Sequence, residues 1–467
     1  MNPSRRSFLR VMGLVAGAAT GTTASGQHGH SETAGVGPEQ AAPPVSADSP
    51  GPGVVPVVTP DVPHLPWRLE NGVKVFKISA EHVRTKFLPG RTVDAWGFNG
   101  SVPGPTIEVN EGDRLRFIVE NRLPELFSMH WHGLEVPVAM DGMPGISQDP
   151  IRPGDKFVYE FTVHQNGTFF YHSHMPMQEM MGLIGLFIIH PRRAFTPRVD
   201  RDFGLILQEW AILPNNTIPN SLAMEFNWLT MNGKAGPDIT PMLVKLGERV
   251  RIRLVNLGMD HHPIHLHGHQ FYVTGTEGGR IRTTAIIPEN TVLVGVAQAR
   301  DIEFVANNEG DWHFHCHLPH HMMNQMVSMV GPMMMSHGAG RRPGSMDAGM
   351  GIIEGDALGE SSRPAFGRTL GVGAEPDRPA PNMPLGGQQP TLLQPGADHR
   401  QAMFPGYPQD MFMVMDDLVA KPETYGLRTG WSGGTMGMMT VVRVLKPELF
   451  EKIQALKAEQ ARTGEAR

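Results

Sequence analysis

The sequence predicts an all-β protein: two related β-sandwich domains followed by a mostly irregular, methionine-rich C-terminal extension. Three observations carry this. Short alternating runs such as TIEVNEGDRLRFIVEN (106–121) and DKFVYEFTV (155–163), set off by Gly, Pro and Asn-Gly turns, have the two-residue period of half-buried strands. The same texture returns at MLVKLGERVRIRLVNLG (242–258) and continues to about residue 335. Histidine pairs also repeat in register, SMHWHGLEV (128–136) matching PIHLHGHQF (263–271) and FFYHSHMPMQEMMGLIG (169–185) matching WHFHCHLPHHMMNQMVS (312–328). The first histidine of each pair recurs after 42 residues in the first copy and 50 in the second.

In chain order, SRRSFLRVMGLVAGAATGTTA has twin arginines Arg5 and Arg6 before a short, mildly apolar run. Residues 1–24 therefore read as a twin-arginine export signal, which places the mature chain in the periplasm or outside the cell. The run is too short and glycine-rich for a bilayer span, which needs about 20 apolar residues, and no other stretch qualifies. Residues 25–67, rich in Pro, Gly, Ala and Ser, read as a disordered leader. The two sandwiches are expected at 68–195 and 200–335, a Gly/Pro-rich linker at 336–400 and a methionine-rich tail at 401–467. In the tail, TMGMMTVVRVL has a strand pattern and PELFEKIQALKAEQA that of a short helix.

Loss of residues 1–24 removes three arginines and no acids, which moves the formal charge from -6 to -9. An acidic chain without a basic run argues against nucleic acid as a partner. Cys316 is the only cysteine, so no intrachain disulfide exists and the thiol needs another explanation.

On a strand, residues i and i+2 share a face. Each His-x-His thus presents two imidazoles side by side: His130 with His132, His172 with His174, His265 with His267, and His315 with His317. A single such pair is weak, and a lone buried histidine is usually structural. Four pairs duplicated in register point to a polynuclear metal site. Cys316 lies between the last pair and so faces the other way. With His262, His321 and Met326 it completes two imidazoles, a thiolate and a weak axial thioether, the donor set of a blue-copper electron-transfer site. A buried Cys among packing methionines is the ordinary alternative, but it does not explain a thiol flanked by ligand histidines. The corresponding first-copy positions are read as Phe127, Ser173, Glu179 and Ile184, which cannot form that site. One blue copper per chain, in the second domain, is expected.

Read as HWHG, HSH, HPIHLHG and HCHLPHHMMNQM, these motifs resemble those of the multicopper oxidases over about residues 72–335. The resemblance implies Greek-key sandwiches of the cupredoxin type and four coppers per functional site. The blue, type 1 copper would take His262, Cys316, His321 and Met326, and the type 2 copper His130 and His265. One type 3 copper would take His132, His172 and His317, and its partner His174, His267 and His315. It further implies one-electron oxidation of a substrate at the blue site and reduction of O2 to water at the cluster. Asp141, in AMDGMPGISQDP, resembles the family's proton-relay acid, although an Asp-Gly turn would also account for it. Met322 stands where the family often carries a second acid.

Only 88 residues separate His174 from His262, too few for a third sandwich. The chain therefore resembles the two-domain class, which implies a head-to-tail homotrimer with a trinuclear cluster at each subunit interface. Copper nitrite reductases share the trimeric plan without the full set of paired histidines. Three functions stay open on the sequence: a laccase-like oxidase of phenols and aromatic amines, an oxidase of Cu(I), and a copper-sequestering protein. Near the motifs, Met180, Met181, Met322 and Met323 repeat in register and read as packing, whereas the tail methionines are equally compatible with packing and with soft-metal handling.

Overall fold

A computed structural model describes residues 53–212, 216–224, 226–324 and 414–463. The expected signal peptide, most of the leader, the linker and Met326 lie outside these residues. No helix among the described residues is long and apolar enough to cross a membrane.

The alternating runs become strands. In Arg114–Asn121, Leu115, Phe117 and Val119 are fully buried, while the residues between them are not. This strand joins Trp67–Glu70, Val73–Leu88, Arg91–Phe98 and Lys156–Thr162 in a five-stranded sheet. A four-stranded sheet runs in the order Gly104–Asn110, Ile184–His190, Gly167–Ser173, Met129–His132. The two sheets close on one core, where Phe117 lies against Trp131 and Phe187. Trp131 points inward, so its neighbours His130 and His132 point away from that core.

In the second sandwich an eight-stranded sheet is built around Arg201–Trp210, Arg249–Asn256, Gln298–Val305 and Phe271–Thr276. Its partner sheet runs Met242–Lys245, Met439–Leu445, Gly310–Cys316, His262–Leu266, Thr291–Val294. Two strands come from outside the expected span of this domain. Val57–Val58, inside the expected disordered leader, pairs in parallel with Arg201–Trp210 and buries Val57. Met439–Leu445, the strand pattern of the tail, lies between Met242–Lys245 and Gly310–Cys316 and is buried throughout. The helix Pro447–Thr463 follows and buries Phe450 and Ile453 beside Leu243 and Leu445.

The sandwiches meet across Phe170, Ile184, Leu186 and Ile188 on one side and Ile206, Val255 and Ala299 on the other. Charges accompany this contact. Arg253 donates to Asp202 at 2.8 Å and to Thr168 at 2.7 Å, and Thr168 donates to Asp301 at 2.6 Å. Arg249, Arg251 and Arg280 converge on the fully buried carboxylate of Glu303. Burial alone would raise its pKa, but Arg251 and Arg280 outweigh burial and hold it at about 2. The stabilisation it contributes is therefore complete above the ordinary value of 4.5 and lost as pH falls toward 2. Glu303→Ala leaves Arg249 and Arg280 without this carboxylate and Arg251 with Asp202 only, and is expected to destabilise the fold by about 3–5 kcal/mol. Urea unfolding of the metal-free protein at neutral pH checks this, and the difference between variant and parent should shrink in acid.

Candidate metal centres

His262 opens the strand His262–Leu266, whose His262, Ile264 and Leu266 are buried while Pro263 and His265 are only partly so. Cys316 ends Gly310–Cys316, which pairs antiparallel with that strand so that Ile264 lies opposite Cys316. His321 comes from the 3-10 turn Pro319–Met322. All three are completely buried. Cys316 Sγ lies 3.4 Å from His321 Nδ1 and 3.8 Å from His262 Nδ1, and the two Nδ1 atoms are 3.2 Å apart. Two imidazole nitrogens and a sulfur in so small a triangle, among apolar side chains, form the trigonal donor set that copper favours. Burial pushes the Cys316 thiol up to about 12, so a thiolate there calls for a bound cation.

Two acids that the sequence reading passed over stand behind these histidines. Glu209 Oε2 lies 3.2 Å from His262 Nε2, and Glu209 also accepts from the Asp260 N–H at 2.8 Å and from the Met259 N–H. Asp260 Oδ2 lies 3.4 Å from His321 Nε2, and the imidazole facing it holds the Asp260 carboxyl below its usual range. Such outer partners fix the ring orientation and leave the opposite nitrogen for a metal. The sign available beforehand was an acid at the end of LILQEW, where every neighbour is buried.

The paired histidines sit on the other faces of these strands. In the first sandwich His130 lies opposite His172, and His132 Nδ1 is 3.4 Å from His172 Nε2. One ligand atom from each of His130, His132 and His172 falls within 4.8 Å of the others. The His174 ring lies 5.2 Å from that of His130. In the second sandwich His265 lies opposite His315, and His267 Nε2 is 3.0 Å from His315 Nε2. The His317 ring is 5.3 Å from that of His315 and 5.6 Å from that of His265.

Backbone carbonyls hold the Nδ1 side of several rings: Asp141 for His130 at 2.7 Å, Ser173 for His172 at 2.6 Å, Asn290 for His265 at 2.6 Å and Cys316 for His315 at 2.9 Å. Each of these four rings keeps Nε2 as its outward ligand atom. Burial, and then the neighbouring histidines, push His132 down to about 4; His315 reaches about 4 for the same leading reason, so both are neutral at pH 7. Among the described residues no ring contact or hydrogen bond links the first four histidines with the second four, and His267 and His317 are exposed. Within one chain the eight form two separate, outward-facing sets.

The carboxylate of Asp141 lies 3.6 Å from His130 Nδ1, at the end of the turn Val138–Met140. Met326 is outside the described residues. Two comparisons between the two copies need correction. Leu183, ten residues after Ser173 as Met326 is after Cys316, and not Ile184, stands in the place of Met326. Gln178, not Glu179, stands in the place of His321, since Ser173 Oγ donates to Gln178 Oε1 at 2.7 Å. Glu179 instead reaches toward His172, at 3.6 Å.

Residues 79–194 and 213–331, together half of the chain, each match a family profile described as multicopper oxidase. The chain is 38% identical to copper resistance protein A of Escherichia coli over 145 residues, which cover 31% of this chain and 24% of that protein. It is 33% identical to laccase-2 of Botryotinia fuckeliana over 247 residues, 48% of this chain and 41% of that one. The chain thus spans less than half the length of either relative. A crystal structure of a blue copper oxidase from Nitrosomonas europaea superposes with a TM-score of 0.51 at 31% identity, covering 54% of this chain and 81% of that one. With both sandwiches matched in this way, the chain belongs to the multicopper oxidases.

Proposed function

We propose that this protein couples the one-electron oxidation of a small reducing substrate beside Cys316 to the four-electron reduction of O2 to water at the histidine sets. The single observation that carries the reading is the strand Gly310–Cys316. Its cysteine lies in the core with His262 and His321, while His315 belongs to the outward-facing histidine set. One stretch of backbone thereby joins two metal centres of different kinds.

His262, Cys316 and His321 would hold the type 1 copper. His130 and His265 would hold type 2, and His132, His172 and His317, with His174, His267 and His315, the type 3 pair. Copper in these sites supplies one-electron chemistry with the substrate and dioxygen activation. The protein's part is to exclude water from the Cys316 thiolate, to fix each imidazole through its second nitrogen and to bring protons in. Asp141, against His130, is the proposed proton carrier. Because the two histidine sets stay apart within a chain, the cluster is proposed to form where the first sandwich of one subunit meets the second of its neighbour, in a head-to-tail homotrimer. The twin-arginine start supports export to the periplasm or beyond.

For the substrate, the first reading is a laccase-like phenol or aromatic amine. Cu(I) is a second reading: Asp260 and His320, both partly exposed, stand beside His321 and put metal donors next to the Cys316 site without drawing on its own ligands. Similarity to copper resistance protein A points the same way. Oxygen uptake by the copper-loaded full-length protein, with Cu(I) and a methoxyphenol compared at matched concentrations, tests both readings. Four substrate electrons per O2, without peroxide, are expected with at least one of them. Tightly bound copper with no uptake from either would replace the oxidase with a copper-sequestering protein.

A further inference from the structure

The type 1 motif places its axial methionine at Met326, ten residues after Cys316. The strand position that would carry this ligand is filled from elsewhere. In the first sandwich, Ser173 stands where Cys316 stands in the second, and its N–H donates to the carbonyl of Leu183, ten residues on, at 3.1 Å. Gly182, with φ 114°, precedes Leu183, and Ile184 then pairs with His172. The second sandwich repeats each feature with the tail. Cys316 N–H donates to the carbonyl of Met438 at 3.0 Å, Gly437 with φ 59° precedes it, and Met439 pairs with His315. Met438 is thus the counterpart of Leu183, reached 117 residues after His321.

We propose that Met438, and not Met326, is the axial ligand of the type 1 copper, and that the chain between His321 and Gly437 is an insertion within the copper-binding loop. The proposal rests on the type 1 reading above. Extending the antiparallel register from His315–Met439 sets Met438 directly opposite Cys316. Residues directly opposite in such a pair project to the same face, with Cβ atoms about 4.5–5.5 Å apart. The Met438 side chain is therefore on the core face with Cys316, and it is fully buried in the same apolar cluster.

Its backbone is fastened to both ligand-bearing segments, since Met438 N–H donates to the His321 carbonyl at 2.9 Å while its own carbonyl accepts from Cys316. That approach needs a glycine: a Cβ on Gly437 would lie 2.4 Å from the His321 carbonyl oxygen and 2.7 Å from the Met323 nitrogen. The same ties hold Leu183 in the first sandwich, to Ser173 and Gln178, so they fix the position of residue 438 beside the copper donors, and its thioether is what suits that position to a metal. The axial donor tunes the potential of such a site, so the tail strand, and not the local loop, sets this property.

The test uses copper-loaded full-length protein and reads the type 1 spectrum and redox poise, not turnover. Leu replaces Met with nearly conserved volume, so Met438→Leu should fold. Loss of the thioether should raise the Cu(I)/Cu(II) ratio at a fixed applied potential by on the order of tenfold. Met438→Gln, a stronger donor, should move that ratio in the opposite direction, a reversal that a packing role would not produce. Met326→Leu and Met439→Leu should leave the ratio and the electron paramagnetic resonance signal unchanged. A shift with Met326→Leu alone, or with neither Met326→Leu nor Met438→Leu, overturns the proposal. A parent protein without any blue thiolate band fails the type 1 reading itself, which is a separate result.

Discussion

Cys316→Ser should yield a folded, colourless protein that still binds copper at its paired histidines and shows no substrate-driven oxygen uptake above background. The hydroxyl is a poor soft-metal donor. Enclosed among Ile264, Phe314, Met438 and Val442, it also lacks water, at a cost of about 1–3 kcal/mol. The loss of activity would therefore come from the site and not from unfolding, which circular dichroism and the unfolding midpoint can establish. His130→Ala is the informative contrast. It should keep the blue band, since His130 lies in the other sandwich, and lose oxygen reduction all the same. If Cys316→Ser retained either the blue band or uptake, this thiol would not be a copper ligand.

Truncation after residue 335 should prevent the second sandwich from folding. At first sight the tail is an accessory, and its removal looks like a clean way to separate phenol from Cu(I) oxidation. The sheet order rules out that use, because Met439–Leu445 pairs with a strand on each side, one of them the Cys316 strand. Its loss strips Met438, Val442, Val444 and Leu445 from the core and, with the helix, Phe450 and Ile453. At about 1.5–3 kcal/mol for each buried apolar side chain, the total rivals the about 5–15 kcal/mol by which whole domains are stable. An exposed edge beside the Cys316 strand would also invite aggregation. Deleting 336–400 instead keeps Met439–Leu445 and should leave a soluble, blue protein. Its relative rates with Cu(I) and a methoxyphenol then report on substrate alone. A soluble, blue protein truncated after 335 would show that the tail strand is dispensable.

The two sandwiches, their strand alternation and the division of Cys316 and the paired histidines between two faces were legible because each rests on local periodicity. Cys316 on the core face, and the His-x-His pairs on the other, follow from the two-residue period alone. What escaped was non-local. Nothing near TMGMMTVVRVL says that it belongs beside a strand more than 120 residues earlier, and nothing near Val57 says that it joins a sheet that begins at Arg201. The Glu179 assignment slipped by one residue because the Met-Met pairs of the two copies invite an alignment that the Ser173–Gln178 hydrogen bond does not keep. Glu209 was missed for a related reason. An acid in a strand reads as a surface residue until His262 and two backbone N–H groups are found around it.

Oxygen uptake by mixed assemblies bears most directly on the proposed oxygen site. One chain would carry His130→Ala with His132→Ala, the other His265→Ala with His267→Ala, and neither variant alone should consume O2 if the cluster forms between subunits as proposed. In a ring co-assembled from equal amounts of both, about one interface in four joins an intact first set to an intact second set. Uptake should therefore return to roughly a quarter of the parent rate for such closed rings. No recovery, with the blue band present in both variants, would mean that the eight histidines do not form an oxygen site between chains.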